Sequence, residues 1–210
     1  MVKESFVQKY YKHAKKAERK TGVPALFALA QSALESGWGK HSPGNMLFGM
    51  KQGSGRDYGG WDGDKQLITT TEYSKKSSLT FPFIFSGYPK RTSSGKWKYK
   101  VKAYFRAYPT PFHSFVDWSG LLSKASRYKQ AMRNKDDPYL FADEVAKAGY
   151  ATAPSYASKV KGVMDDIAQI IKTKGLNKKN PWKVIIPVTI LALGTGLIIY
   201  GIVNHKKKNK

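Results

Sequence analysis

Glu35 lies within the stretch ALAQSALESGWGKH, residues 28 to 41, where the residues before it are almost all apolar and those after it include glycine, tryptophan and histidine. A carboxyl group on an apolar helix end loses water from around its charged form, so its pKa should rise. Trp38, close behind, would strengthen that effect. A carboxylic acid still protonated near neutral pH is what a glycosidase needs to protonate a leaving-group oxygen. The competing description is a solvated glutamate in a last helical turn, mildly unfavourable against the negative end of the helix dipole. Asp57, Asp62 and Asp64 are reserve acids, and each fits equally well as a turn residue.

Other chemistries are closed off by composition. The chain has no cysteine, which excludes disulfides, thiolate catalysis and Cys-ligated zinc. Its four histidines, His13, His41, His113 and His205, show no metal-binding spacing, so neither a metal nor another cofactor is expected. The 37 basic and 14 acidic side chains leave a formal charge of +23, a field that draws the protein toward polyanions. That charge runs from Lys3 to Lys210, and no zinc-finger, RNP-like or helix-turn-helix signature accompanies it. Specific nucleic-acid recognition is therefore not expected, and anionic wall polymers or lipid head groups fit better.

The elements that must hold Glu35 follow from periodicity. Residues 4 to 20 place Phe6, Val7, Tyr10, Tyr11, Ala14 and Ala17 at helical spacing up to Gly22. Pro24 suits the first turn of a second helix whose apolar surface runs to Glu35. Glycine-rich turns fill residues 37 to 63. The stretch QLITTTEY, 66 to 73, is β-branched and predicts a strand. In KWKYKVKAYFRAY, 96 to 108, Trp97, Tyr99, Val101, Ala103 and Phe105 alternate with Lys98, Lys100, Lys102, Tyr104 and Arg106. That predicts a second strand with one face buried and one wet, making a hairpin joined by the long segment 74 to 95. Helices are predicted again over 114–132, 138–148 and 154–172, followed by a polar linker, 173 to 183.

Six ordered motifs give the chain a resemblance: ALAQSALESGWGKH, NMLFGMK (45–51), TTTEY (69–73), KAYFRAYP (102–109), SRYKQA (126–131) and AGYATAPSYASKV (148–160). Over residues 3 to 172 it resembles the glucosaminidase family of peptidoglycan hydrolases, which includes flagellar muramidase-like enzymes and bacterial autolysins. The resemblance implies an α+β, lysozyme-like fold, mainly helical with a small antiparallel hairpin. It also implies hydrolysis of the β-1,4 link after N-acetylglucosamine in peptidoglycan. Through ALESGWG the catalytic acid maps onto Glu35; through TTEY a second acidic residue maps onto Glu72; and Tyr150 matches a cleft tyrosine beside the acid.

If the two carboxyls stand about 6.5–9.5 Å apart, Glu72 can activate water for inversion; about 5–5.5 Å would favour a covalent intermediate. Alternatively the substrate's acetamido group acts as nucleophile and Glu72 only stabilises charge or positions water. Trp38, Asn45, Phe48, Tyr73 and Tyr156 are candidates for shaping the groove. Where the family commonly has aspartate, Ala153 removes a favoured N-cap from the last helix, a loss of stability of about 0.5–2 kcal/mol. The aromatics Phe81, Phe83, Phe85 and Tyr88 in the long connection are placed to touch glycan or membrane.

The segment VIIPVTILALGTGLIIYGIV, residues 184 to 203, carries no charge over twenty residues. That is the length of a membrane span, and Trp182, Lys183, Tyr200 and the basic tail 204–210 suit its interfaces. The positive-inside tendency would leave the tail in the cytoplasm and residues 1–172 facing peptidoglycan. The first residues show charges and no apolar run, so no secretory signal is read there. A bacterial envelope or the internal membrane of a phage virion would both satisfy these features. The rival readings are a lytic transglycosylase and a non-catalytic, membrane-tethered wall-binding protein.

Overall fold

The computed structural model describes residues 2–55 and 57–177, so the expected span at 184–203 and its basic tail lie outside the described residues. Among the described residues no helix is long and apolar enough to cross a membrane.

The chain begins with α1 (Val2–Thr21) and α2 (Ala25–Ser36). Pro24 serves as the N-cap of α2, one position earlier than expected, with φ −57° and ψ 128°. Strand β1 (Lys65–Ser74) follows the glycine-rich turns, then β2 (Phe83–Ile84), β3 (Lys90–Arg91) and β4 (Trp97–Arg106). Four helices complete the described chain: α3 (Pro111–Lys124), α4 (Lys129–Arg133), α5 (Pro138–Lys147) and α6 (Tyr156–Thr173). Helix α2 is central, packed against α1, α5 and α6, and its alanines permit that close approach.

Three expectations change. The single helix over 114–132 is broken at Ala125, which turns extended and lets Tyr128 drop into the core. The connection 74–95 contributes β2 and β3, which pair with the other edge of β4, so the hairpin becomes a four-stranded antiparallel sheet with β4 in the middle. This satisfies edge groups on β4 that a two-stranded ribbon would leave open. The linker also starts later than residue 173: Lys174 to Asn177 turn back on α6, Leu176 packs against the core and the Tyr11 hydroxyl bonds Asn177. Helix α6 starts at Tyr156, so its N-cap position falls on Ser155 rather than on Ala153, and the Ser155 side chain makes no cap hydrogen bond there.

Two apolar clusters form. One fills the helical body around Phe27, Leu29, Phe115, Trp118 and Phe141; the other lies under the sheet around Met46, Tyr99, Val101, Phe105 and Tyr108. They are joined by a buried ion pair. Arg106, expected on the wet face of β4, is fully buried, and its Nη1 donates to Asp117 Oδ1 and Oδ2 at 2.9 and 2.8 Å. Its Nη2 donates to the Ser54 and Gly55 carbonyls at 3.3 and 3.0 Å, and the Tyr108 hydroxyl donates to Asp117 Oδ2 at 2.7 Å. The pair thus fastens β4, α3 and the turns at 54–60. At Gly60 a Cβ would stand 2.2 Å from the His113 carbonyl oxygen, so only glycine lets that turn lie on α3.

Removing one partner leaves an uncompensated buried charge, which costs about 3–5 kcal/mol. Asp117→Ala is therefore expected to lower the unfolding free energy measured by urea denaturation by that amount, while the double change Arg106→Met, Asp117→Leu recovers much of the loss.

Candidate active site

Helix α2 ends immediately after Glu35, and its end is built rather than frayed. Gly37 takes the left-handed conformation, φ 58° and ψ 50°. Trp38 follows at φ 58° and donates its N–H to the Ala33 carbonyl at 2.8 Å, closing the last turn. The Ser36 hydroxyl accepts from the Gly39 N–H at 2.9 Å. Glu35 is thereby held on a fixed final turn, open to solvent on one side.

On its other side stands a hydrogen-bonded set. Gln31, one turn earlier and buried, donates through Nε2 to Glu35 Oε1 at 2.9 Å and to the Tyr150 hydroxyl oxygen at 3.3 Å. The Tyr156 hydroxyl donates to Gln31 Oε1 at 2.9 Å, which fixes the amide's orientation. Trp118 Nε1 also donates to the Tyr150 oxygen, at 3.0 Å. With both acceptor positions of Tyr150 engaged, its own O–H is left to donate to a further partner. Tyr150 and Tyr156 stack at 5.4 Å between ring centroids.

Protein packed around the Glu35 carboxyl strips water from its charged form and pushes its pKa up, against the opposing effect of the Gln31 bond. Burial, Glu35's charge and Tyr128 move the Tyr150 phenol well above its ordinary range, outweighing the bonds from Trp118 and Gln31, so it stays a neutral donor. The Tyr156 phenol shifts the same way, first through burial and then through Tyr150 and Glu35.

The other sequence candidates are dispersed. Glu72 pairs with Tyr99 across the ladder, on the sheet face that carries the apolar cluster, and its Oε1 lies 2.8 Å from Lys51 Nζ. Phe48 is buried and stacks on Trp118 at 4.3 Å, so it supports the network without reaching a groove. Asn45, at φ 56°, donates to the Tyr108 and Pro109 carbonyls at 2.9 and 3.3 Å and anchors the β4–α3 connection. Trp38 turns onto α1, edge-on to Phe6 at 5.5 Å, and lines a cavity of about 410 Å³ with Phe6, Tyr10 and Lys9. Tyr73 is exposed on the sheet face opposite to Glu72. The reserve acids are turn residues: Asp57 Oδ1 accepts from the N–H groups of Gly59, Gly60 and Trp61, and Asp62 from that of Asp64. Burial alone would raise the Asp57 pKa, but those bonds and Arg106 bring it below its ordinary value.

Sequence reasoning missed Gln31 and Trp118. One signal was present: Gln31 is an amide within an otherwise apolar helix, one turn before the acid, where its side chain reaches the same face. For Trp118 there was none beyond helical periodicity.

A mainly helical body with an antiparallel sheet and an acid at the end of its central helix defines a lysozyme-like glycoside hydrolase fold. The family described as glucosaminidase, mannosyl-glycoprotein endo-beta-N-acetylglucosaminidase, matches residues 11–169, and the chain belongs to that family. The peptidoglycan hydrolase FlgJ of Pseudomonas aeruginosa is 34% identical over 164 residues, covering 75% of this chain and 35% of that protein. FlgJ of Escherichia coli K12 is 34% identical over 178 residues, covering 80% and 49%. The chain therefore spans half or less of the length of these curated relatives. The glycoside hydrolase domain of Salmonella typhimurium FlgJ superposes with a TM-score of 0.61 at 27% identity, covering 83% of this chain and 94% of that domain. A mutant peptidoglycan hydrolase from Sphingomonas sp. A1 superposes with a TM-score of 0.58 at 31% identity, covering 81% and 99%.

A carboxyl whose folded-state pKa is raised stabilises the fold only while neutral, so its contribution is lost as pH rises through the folded value. Glu35→Gln keeps a neutral group at every pH. The variant is expected to melt above wild type at pH 7–8, with the gap closing as pH falls toward the ordinary value of 4.5, in melts recorded across pH.

Proposed function

We propose that this chain hydrolyses the β-1,4 glycosidic bond after N-acetylglucosamine in peptidoglycan glycan strands, with Glu35 as general acid. The observation that carries the reading is the position of the Glu35 carboxyl: water-poor on one side, solvent-open on the other, and fixed through one oxygen. Because Gln31 donates to Oε1, a proton on the acid belongs on Oε2, free to be given to the bridging oxygen. Tyr150, whose oxygen already accepts from Gln31 and Trp118, uses its own O–H to donate to the substrate's acetamido oxygen or to the attacking water.

Glu72 takes a lesser part. Its carboxylate already faces Lys51 at 2.8 Å, which favours an electrostatic or water-positioning role over that of a nucleophile. The family match and the likeness to FlgJ domains support the substrate class. The uncharged run at 184–203 is read as a membrane anchor that keeps the domain on the peptidoglycan side of an envelope or virion membrane, and the +23 charge as attraction to anionic polymers there.

Digestion of purified sacculi tests the chemistry. Wild type is expected to release reducing N-acetylglucosamine ends, identified by mass spectrometry. Glu35→Gln is expected to lose about 10²–10⁴-fold in rate, and Glu72→Gln less. Products ending in 1,6-anhydromuramic acid would replace hydrolysis with transglycosylation, and equal digestion by wild type and Glu35→Gln would remove the acid from its role.

Gln31 has a separate readout. Its bond favours the ionised carboxylate, so Gln31→Leu raises the Glu35 pKa further. The basic limb of the pH–rate profile, where the acid loses its proton, is then expected at higher pH than in wild type. An unmoved limb would show that Gln31 does not tune the acid.

A further inference from the structure

The sheet has two faces of opposite chemistry, and the outer one is unused by the hydrolytic reading. Along β4 the outward positions are Lys98, Lys100, Lys102 and Tyr104, about 6.8 Å apart in succession. Their partners on β1 are Tyr73, Thr71, Thr69 and Leu67. On the other edge Phe83 pairs with Lys102, and the Lys102 and Lys100 ammonium groups stand over the Phe83 and Phe85 rings at 5.8 and 5.1 Å. Residues 73 to 116 carry nine lysines and arginines and no carboxylate, so nothing acidic from β2, β3 or β4 answers this row.

Charge alone would suit any phosphate-bearing polymer. The apolar groups choose among polyanions. Among the described residues six large hydrophobic side chains are exposed, and four of them, Leu67 (46%), Tyr73 (57%), Phe83 (49%) and Tyr104 (39%), stand on this face. A soluble polyol phosphate has no use for them. An anionic bilayer uses both kinds: lysines extend to the head groups while aromatic and aliphatic side chains enter the boundary beneath.

We infer that the outer face of the β1–β4–β2 sheet is a docking surface for a bilayer rich in anionic lipid. Glu72 lies on the opposite face of the same sheet. A docked domain would thus turn its lysines to lipid and keep its inner face toward the glycan. The inference stands independently of the hydrolytic mechanism, because it is read as binding.

The chain has no cysteine, so single probes can be placed cleanly. The full chain carrying Thr69→Cys, labelled with an environment-sensitive fluorophore, is reconstituted into vesicles of phosphatidylcholine alone or mixed with phosphatidylglycerol. Lys129→Cys, at an exposed position at the start of α4, reports the helical body. Docking predicts a blue shift and quenching by brominated lipid at residue 69 only, and only with phosphatidylglycerol. Each lysine near such a surface is worth roughly fivefold in partitioning. The background change Lys98→Gln, Lys100→Gln, Lys102→Gln should therefore reduce the docked population on the order of a hundredfold, with the circular dichroism of the fold unchanged. The inference is overturned if residue 69 stays in water, if it responds equally in phosphatidylcholine or in the triple variant, or if soluble poly(glycerol phosphate) displaces the domain from the vesicles.

Discussion

The Arg106–Asp117 pair is the constraint on which the architecture turns. A buried guanidinium and carboxylate are costly to desolvate, and the pair persists because its polar atoms are met from several elements at once: β4, α3, the carbonyls of Ser54 and Gly55 and the hydroxyl of Tyr108. Energy that in another protein would come from a larger shared core is here directional. The sheet, which has its own small apolar cluster, is held to the helices at a defined place by polar geometry and close-packed glycine.

From that attachment the site follows. Trp118 sits on α3 one residue after Asp117, so the helix that receives the ion pair also carries the indole that donates to Tyr150. Phe48, in the segment leading to the turns, stacks on the same indole. The position of the sheet and the orientation of the Tyr150 hydroxyl are therefore coupled through one helix. Gln31 completes the set from below. A buried amide with both ends engaged orients its neighbours as an apolar side chain of equal size cannot, since flipping it would set its oxygen against the Glu35 carboxylate.

The sequence made α2, β1, β4 and the placement of Glu35 at a helix end legible because their signals are local: helical spacing ending in glycine, and strict alternation of buried and wet residues. It misread Arg106 for the same reason. Alternation assigned it to the wet face, but its partner is a helical aspartate eleven residues on, and pairing overrides periodicity once both charges are buried. Two of the three partners of Gln31, Tyr150 and Tyr156, are 119 and 125 residues away, beyond any local pattern. Glu72 and Tyr73 are adjacent in β1, and adjacency in a strand guarantees opposite faces. The short strands β2 and β3 had no local signal, since two residues are too few to show a period; they exist because β4 had an open edge.

That alternation explains how one sheet can hold two incompatible surfaces. Glu72 with Lys51, above Tyr99 and Phe105, belongs to the parity that meets the protein interior; Lys98, Lys100 and Lys102 belong to the parity that meets the outside. Between them lies a single layer of backbone. A slip of one residue in the β1–β4 register would exchange every side chain between the faces, burying lysines and exposing the carboxylate. The register is fixed by the apolar residues of the inner face and, at its end, by Arg106, whose burial allows only one alignment with Asp117. The ion pair that attaches the sheet to the helices thus also decides which of its two chemistries meets the protein interior and which faces outward.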